Sequence, residues 1–355
     1  MTSIFLFSAA FSFSILATWV IKKIALRFDI TDKPGEQRKI HTRPIPLLGG
    51  CAVYCGVVAV LFLYSFFAPP QWPSFVGTNV SFQQLTGILL GGAFLMLGGA
   101  LDDRYVLKPL QQIIWPIFAV GTVIASGVVV DRVTNPFGGT IELASLGLFF
   151  PQCVTFLWLM IVIYTTKFLD GLDGLVSGMT VIGSLIIALL SLFFFINIPT
   201  ALLAIITAGA FAGFLVFNFH PAKIFLGEAG STFAGLMLGV LAVMSGAKFA
   251  TAVLILGLPI LDATWVIFRR VVFEKKSPFK GDRKHLHFRL LDAGLSHRQA
   301  VLFIYLLGVG FGLSALFLQS AQKLVSIALL GIILCVVLTV LFFIERKKLR
   351  LTKKI

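Results

Sequence analysis

The sequence predicts an all-α, polytopic integral membrane protein, and three observations predict it. Hydrophobic residues make up 58% of the chain and charged residues 12%, with a mean hydropathy of +0.99, far from the balance of a soluble domain. Eleven apolar runs follow one another, most of them separated by short loops. All but three of the 29 Lys and Arg residues fall in alternate loops, the asymmetry that orients membrane helices.

The runs lie near 3–21, 47–68, 83–101, 109–128, 151–166, 178–196, 200–218, 232–247, 250–268, 299–317 and 324–344. No cation precedes the first run and no small-residue cleavage site follows it, while Lys22, Lys23 and Arg27 come just after. It reads as an uncleaved span with its N-terminus outside. The inside segments are then 22–46, 102–108, 167–177, 219–231, 269–298 and a basic tail, 345–355, so the C-terminus is cytoplasmic; only Arg132, Lys248 and Lys323 are outside. Loops this short leave no room for a soluble domain, so residues 1–355 form one membrane-embedded domain. The net charge of +14 is mostly topology and does not indicate nucleic-acid binding. Arg346, Lys347, Lys348 and Arg350 serve as a topology anchor or attract anionic membrane lipids. Cys51, Cys55, Cys153 and Cys335 lie in apolar runs without metal-ligand spacing and read as packing residues. Gly87/Gly91 and Gly235/Gly239 have the spacing that lets membrane helices approach closely.

Five inside segments carry residues that packing and topology do not explain. In Lys167-Phe168-Leu169-Asp170-Gly171-Leu172-Asp173-Gly174 two carboxylates and a cation stand at the edge of lipid, where a charge costs roughly 2.5–3.5 kcal/mol and so faces a polar cavity, a metal or a substrate. Asp102 and Asp103 are adjacent, with Lys108 and Gln112 on the following helix; paired acids invite a divalent cation, and the alternative is that Asp103 caps the fourth span. The basic loop from Asp32 to Gly50, with Lys39 and His41, suits phosphate and solvent equally well. Phe225-Leu226-Gly227-Glu228-Ala229-Gly230-Ser231 is a glycine-flanked acid between two spans, offering backbone N–H groups to phosphate and an oxygen to a cation. The long loop contains His285, His287 and Arg289 amid further cations, a poor zinc site but a good oxyanion site. Oxygen-donor acids beside surplus Lys, Arg and His point to Mg²⁺ or Mn²⁺ with phosphate groups, the components of phosphoryl transfer.

Taken together, these motifs resemble the polyprenyl-phosphate N-acetylhexosamine-1-phosphate transferases over nearly the whole chain. The resemblance rests on Asp32-Lys33-Pro34, Arg38-Lys39-Ile40-His41, Pro46 with Gly49-Gly50, Leu101-Asp102-Asp103, Asp170-Gly171-Leu172-Asp173-Gly174, Phe225 to Ser231, and His285-Leu286-His287, in family order. It implies transfer of a sugar phosphate from a UDP-N-acetylhexosamine to undecaprenyl phosphate, with release of UMP, at the cytoplasmic face of a bacterial inner membrane. Asp102 would be base or lipid-phosphate organiser with Asp103 beside it. Asp170 and Glu228 would hold Mg²⁺, with Mn²⁺ as substitute, and Asp170 would act in catalysis. Asp173 would help seat the nucleotide and Phe225 would stack on uracil. Lys39, Lys108, His285, His287 and Arg289 would bind phosphate or sugar, and a homodimer is compatible with the resemblance.

Eleven spans with a cytoplasmic tail are similar to the branch that starts O-antigen, enterobacterial common antigen or teichoic-acid linkage units. The phospho-MurNAc-pentapeptide transferases stand second, since they usually carry Thr-Pro-Thr-Met-Gly-Gly where this chain has Pro44-Ile45-Pro46-Leu47-Leu48-Gly49-Gly50. The chain departs from the pattern at Tyr164 and Lys167, where Asn is usual, at Glu228, where Asp is common, and at Phe288, where a third His is frequent. Lys167 would replace a polar ligand contact with a salt bridge or a phosphate contact. Those departures motivate a catalytically impaired relative as one alternative. A transporter is another, and it would place its acids near mid-membrane in broken helices.

Overall fold

The computed structural model describes residues 1–34, 43–69, 80–135, 139–246, 249–275, 284–318 and 320–352. Lys39 and His41 lie outside the described residues, as does segment 276–283. Among the described residues twelve α-helices carry the fold: α1 Thr2–Arg27, α2 Gly49–Phe67, α3 Phe82–Tyr105, α4 Pro109–Ala125, α5 Phe150–Leu169 and α6 Leu175–Phe193 come first. They are followed by α7 Ile198–Asn218, α8 Gly227–Met244, α9 Phe249–Phe268, α10 Leu286–Ala293, α11 His297–Phe317 and α12 Ser320–Thr352. Among the described residues nine helices are long and apolar enough to cross a membrane: α1, α2, α3, α5, α6, α7, α8, α11 and the Gln322–Ile344 part of α12. Helix α4 is a shorter apolar helix, and α9 contains Pro259; these two stand where the fourth and ninth runs were expected. The protein is a polytopic helical membrane protein.

Two features differ from the expectation. Four short strands pair as antiparallel ribbons, β1 (Thr31–Asp32) with β2 (Ile45–Pro46) and β3 (Arg132–Thr134) with β4 (Thr140–Glu142); the first closes the base of the basic loop. The helices also overrun the apolar runs. Helix α3 continues through Asp102 and Asp103 to Tyr105, α5 continues through Lys167, and α8 begins at Gly227, so that Glu228 sits in its first turn. Hydropathy marks where lipid contact ends, whereas a helix stops only where its terminal N–H and C=O groups find other partners.

Helix α8 is the centre of the bundle. Of its apolar window 83% is buried, against 22% for α1, and it packs on α2, α3, α5 and α6. In lipid there is little hydrophobic drive between helices, so small residues that permit close backbone approach decide which faces meet. A Cβ on Gly50 would lie 2.1 Å from the Gly230 nitrogen, one on Gly99 2.2 Å from the Ala229 nitrogen, and one on Gly235 2.5 Å from the Ile163 Cα. The expected glycine pairs are therefore packing contacts, Gly87 and Gly91 against α4 and Gly235 and Gly239 against α5. The indole of Trp158 on α5 donates to the Gly239 carbonyl at 3.1 Å, satisfying a polar group that lipid could not. Outward, Phe62, Phe66, Leu97, Phe118, Leu157 and Val325 are exposed, as a lipid-facing surface requires.

Gly99→Ala should lower the Tm of the detergent-solubilised protein by an amount equivalent to about 1–3 kcal/mol of overpacking. Gly121→Ala in α4, where a Cβ would meet nothing within 4 Å, should leave Tm unchanged. Equal Tm values for the two variants would contradict the close α3–α8 approach.

Candidate active site

The site forms where the ends of α3, α5 and α7 meet the starts of α2, α4, α6 and α8. Its deepest element is Asp103. Its Oδ1 accepts the Glu228 N–H at 3.0 Å and its Oδ2 accepts the Leu48 N–H at 3.3 Å. The carboxylate thus caps the N-terminus of α8, where unpaired N–H groups and the helix dipole favour negative charge, and ties it to the entry of α2. The alternative reading of Asp103, a cap on the fourth span, differs from what is found, a cap on α8, whose Glu228 is 125 residues away in the chain. Gly227, at φ +73, has no alternative: a Cβ there would lie 2.3 Å from Asp103 Oδ2. The base of the basic loop is stitched to the same place, since Phe225 N–H donates to Pro46 O at 2.8 Å, Gly49 N–H to Phe225 O at 3.1 Å and Gly50 N–H to Leu226 O at 2.8 Å. Phe225 is half-buried there.

Asp102 has a different environment. Its Oδ1 accepts the Leu107 N–H at 2.7 Å and the Gln112 Nε2 at 2.9 Å; among the described residues its Oδ2 has no partner. Gln112 passes the network on, because its Oε1 accepts from Lys167 Nζ at 2.9 Å. Lys167 Nζ also lies 2.5 Å from Glu228 Oε1, both side chains being less than a fifth exposed. Asp102, Gln112 and Glu228 line a small recess with Gly99, Trp115 and Thr232. Lys108 is exposed at the start of α4 and forms no ion pair among the described residues.

Asp170 follows the last residue of α5 and is exposed. The dense protein around it, then the charges of Glu228, Asp103 and Asp173, push its carboxyl up to about 8. Asp173 is committed elsewhere: its Oδ2 pairs with His220 Nδ1 at 2.7 Å and accepts the Ala222 N–H at 3.1 Å, while its own N–H donates to His297 Nε2 at 2.8 Å. The rings of His220 and His297 stack at 4.0 Å. Ligand atoms of these three residues lie within 4.8 Å of one another, but Asp173 Oδ2 and His297 Nε2 already take hydrogen bonds, so the trio reads as a clasp between the α5–α6 turn and α11. Asn218 makes a second clasp, its Oδ1 accepting from Gly174 N at 3.1 Å and Ser177 Oγ at 2.8 Å and its Nδ2 donating to Ile224 O at 3.1 Å. Tyr305 adds a hydroxyl that donates to the Gly174 carbonyl.

The histidine loop folds as α10 over this turn. Asp262 on α9 accepts from Leu286 N at 2.8 Å and pairs with His285 Nδ1 at 2.9 Å, and the His285 ring stacks near Phe168, with centroids 6.2 Å apart. His287 is fully enclosed against Gly171, with neither ring nitrogen hydrogen-bonded. Burial pushes it down to about 3, with Asp262 opposing and His285 adding to the shift. Arg289 donates from Nη2 to the Leu338 carbonyl of α12 at 3.2 Å. Of the predicted residues, then, Asp102, Asp103, Lys167, Asp170 and Glu228 come together. Asp173, His285 and His287 shape the adjoining wall, Arg289 reaches α12, and Lys108 stays at the surface. Sequence reasoning passed over Asp262, although an acid inside the apolar run Leu-Pro-Ile-Leu-Asp-Ala is itself a signal. It also passed over Asn218, His220 and Tyr305, whose types carry no comparable signal.

A sequence model described as glycosyl transferase family 4 matches residues 85–246. The chain is 33% identical to the "Probable undecaprenyl-phosphate N-acetylglucosaminyl 1-phosphate transferase" of Bacillus subtilis over 90% of its length and 86% of the relative's. The chain belongs to glycosyl transferase family 4. A second relative, the decaprenyl-phosphate N-acetylglucosaminephosphotransferase of Mycolicibacterium smegmatis, is 32% identical over 93% of this chain and 86% of its own. The undecaprenyl-phosphate alpha-N-acetylglucosaminyl 1-phosphate transferase of Yersinia pestis is 28% identical over 85% of this chain and 79% of its own. The matched region runs from α3 to the end of α8 and contains every member of the Asp102–Gln112–Lys167–Glu228 network.

Asn218→Ala leaves the Gly174 N–H, the Ser177 hydroxyl and the Ile224 carbonyl without their partner, and should cost about 1–3 kcal/mol in thermal or chemical unfolding; a change within error would show the clasp is dispensable. His287 has a pH signature. Its folded value is depressed from 6.5 to about 3, so the folded protein binds fewer protons in that window; the stability is fully present above 6.5 and is lost as pH falls toward 3. His287→Phe should flatten the fall in Tm between about pH 7 and about pH 4.

Proposed function

We propose that this family 4 protein transfers N-acetylglucosamine 1-phosphate from UDP-N-acetylglucosamine to undecaprenyl phosphate and releases UMP. The reaction would take place at the cytoplasmic face of a bacterial inner membrane, in a bundle of eleven spans with the N-terminus outside. The observation that carries the reading is the contact network of Asp102, Gln112, Lys167 and Glu228 at one end of the helices, beside an exposed Asp170 that feels the charges of Glu228 and Asp103. The named activities of the relatives, on undecaprenyl phosphate in two and decaprenyl phosphate in a third, support a polyprenyl phosphate acceptor and N-acetylglucosamine 1-phosphate as the group transferred. A carrier is disfavoured because the acids stand at helix ends rather than at mid-membrane.

The donor set fits a hard divalent cation: oxygen ligands only, crowded enough that Asp170 resists ionising beside its neighbours. Asp170 and Glu228 would hold Mg²⁺, or Mn²⁺ in its place. When bound, the ion neutralises diphosphate charge in the displacement. In the reaction an oxygen of the lipid phosphate bonds to the sugar-bearing phosphorus, and the bond between that phosphorus and the oxygen bridging to UMP breaks. Asp103, with both oxygens on backbone N–H groups, holds α8 in place; Asp102, with one oxygen unclaimed among the described residues, lines the recess and would orient the incoming lipid phosphate or accept its proton. Phe225, Asp173 and the His285 wall would enclose the nucleotide.

Purified protein given UDP-N-acetylglucosamine, undecaprenyl phosphate and Mg²⁺ should release UMP. Asp170→Asn and Glu228→Gln should each lower kcat by about 10²-fold or more, as the loss of one charge-stabilising group does. Failure of the wild type to release UMP from any UDP-N-acetylhexosamine would overturn the assignment.

A further inference from the structure

Lys167 stands where the divalent cation would compete with it. Its ammonium is not a loose surface charge. It lies 2.5 Å from Glu228 Oε1 with both side chains largely buried, and 2.9 Å from Gln112 Oε1. The orientation of the Gln112 amide is set by its Nε2, which donates to Asp102 Oδ1 at 2.9 Å and to Leu107 O at 3.1 Å, so its oxygen is left to face Lys167. The Tyr164 ring, 5.5 Å from Nζ, completes the socket. One carboxylate, an amide oriented by a second carboxylate, and an aromatic face thus specify where this one positive charge sits.

We propose that Lys167 is a resident cation of the carboxylate cluster that competes with the divalent ion for Glu228, and yields when the diphosphate of the donor offers its ammonium an anionic partner. This rests on the reading of Asp170 and Glu228 as the ion's ligands. The physical reason is short. Glu228 cannot keep a close ammonium contact while coordinating a second cation, because two positive charges a few ångströms apart in a partly desolvated recess repel strongly. A donor diphosphate removes the conflict, since the four-carbon stem of Lys167 can carry Nζ from Glu228 to a phosphate oxygen while Gln112 continues to accept from it. Ion and nucleotide therefore bind cooperatively, and the empty site holds the ion weakly.

The test is Mn²⁺ binding to the full-length protein in detergent, read from free Mn²⁺ by electron paramagnetic resonance, with and without UDP-N-acetylglucosamine and in the absence of lipid acceptor. Lys167→Gln should tighten Mn²⁺ binding without nucleotide by about tenfold or more, and the further tightening caused by nucleotide should shrink relative to wild type. Lys167→Arg should keep the wild-type pattern, and Lys167→Asn provides a second neutral variant should Lys167→Gln misfold. Unchanged or weaker Mn²⁺ binding in the neutral variants, with Asp170→Asn and Glu228→Gln still abolishing it, would overturn the role of Lys167 alone. Mn²⁺ binding that survives Asp170→Asn and Glu228→Gln, or is absent from wild type even with nucleotide, would overturn the ligand assignment and this inference with it.

Discussion

The carboxylate of Asp103, held between the N–H groups of Glu228 and Leu48, is the contact on which the rest of the site depends. It joins the end of α3 to the start of α8 and the entry of α2, three elements that no local sequence preference would bring together. The glycines around it exist for the same reason. Gly50, Gly99 and Gly227 allow backbone and carboxylate to approach distances that any side chain would block. Once α8 is seated there, Glu228 in its first turn is delivered to the recess, and Lys167 on α5 is delivered to Glu228.

The charge pattern of the site follows from that seating. A cluster of acids at the edge of lipid needs compensation, because each unpaired charge is costly to desolvate. The fold answers in three ways: helix N–H groups for Asp103, imidazole and backbone N–H partners for Asp173 and Asp262, and one buried ammonium for Glu228. Asp170 is exposed, its carboxylate without a hydrogen-bond or ion-pair partner among the described residues, and the surrounding protein and the charges of Glu228, Asp103 and Asp173 disfavour its ionised form. Asp102 beside Asp103, and Asp170 three residues from Asp173, are neighbours of one residue type that differ in what their oxygens touch.

Much of this was legible in the chain. Hydropathy and the Lys and Arg asymmetry are summed over twenty residues at a time, so helices and loops could be read without knowing their neighbours, and each of the eleven runs has a helix at its place. The ends of those helices were read a turn short at Asp102, Lys167 and Glu228, because polarity ends the lipid-facing run before hydrogen bonding ends the helix. The amphipathic α10 was hidden in a loop whose cations dominated the reading. Asp262 was overlooked because it sits inside an apolar run, and its partners, His285 and the Leu286 N–H, lie more than twenty residues further on.

By itself the sequence determined that the chain is a bundle of membrane helices, which residues carry its unusual charges, and that those residues come in the order of one enzyme family. These are properties of local composition and of residue type, and they need no coordinates. Only the tertiary structure decided which acid does what. Asp103, Asp173 and Asp262 are committed to backbone N–H groups and imidazoles, while among the described residues Asp102 keeps one oxygen unclaimed and the Asp170 carboxylate has no hydrogen-bond partner. A carboxylate's role is set by the donors that reach it, and here most of those donors arrive from helices up to 125 residues away.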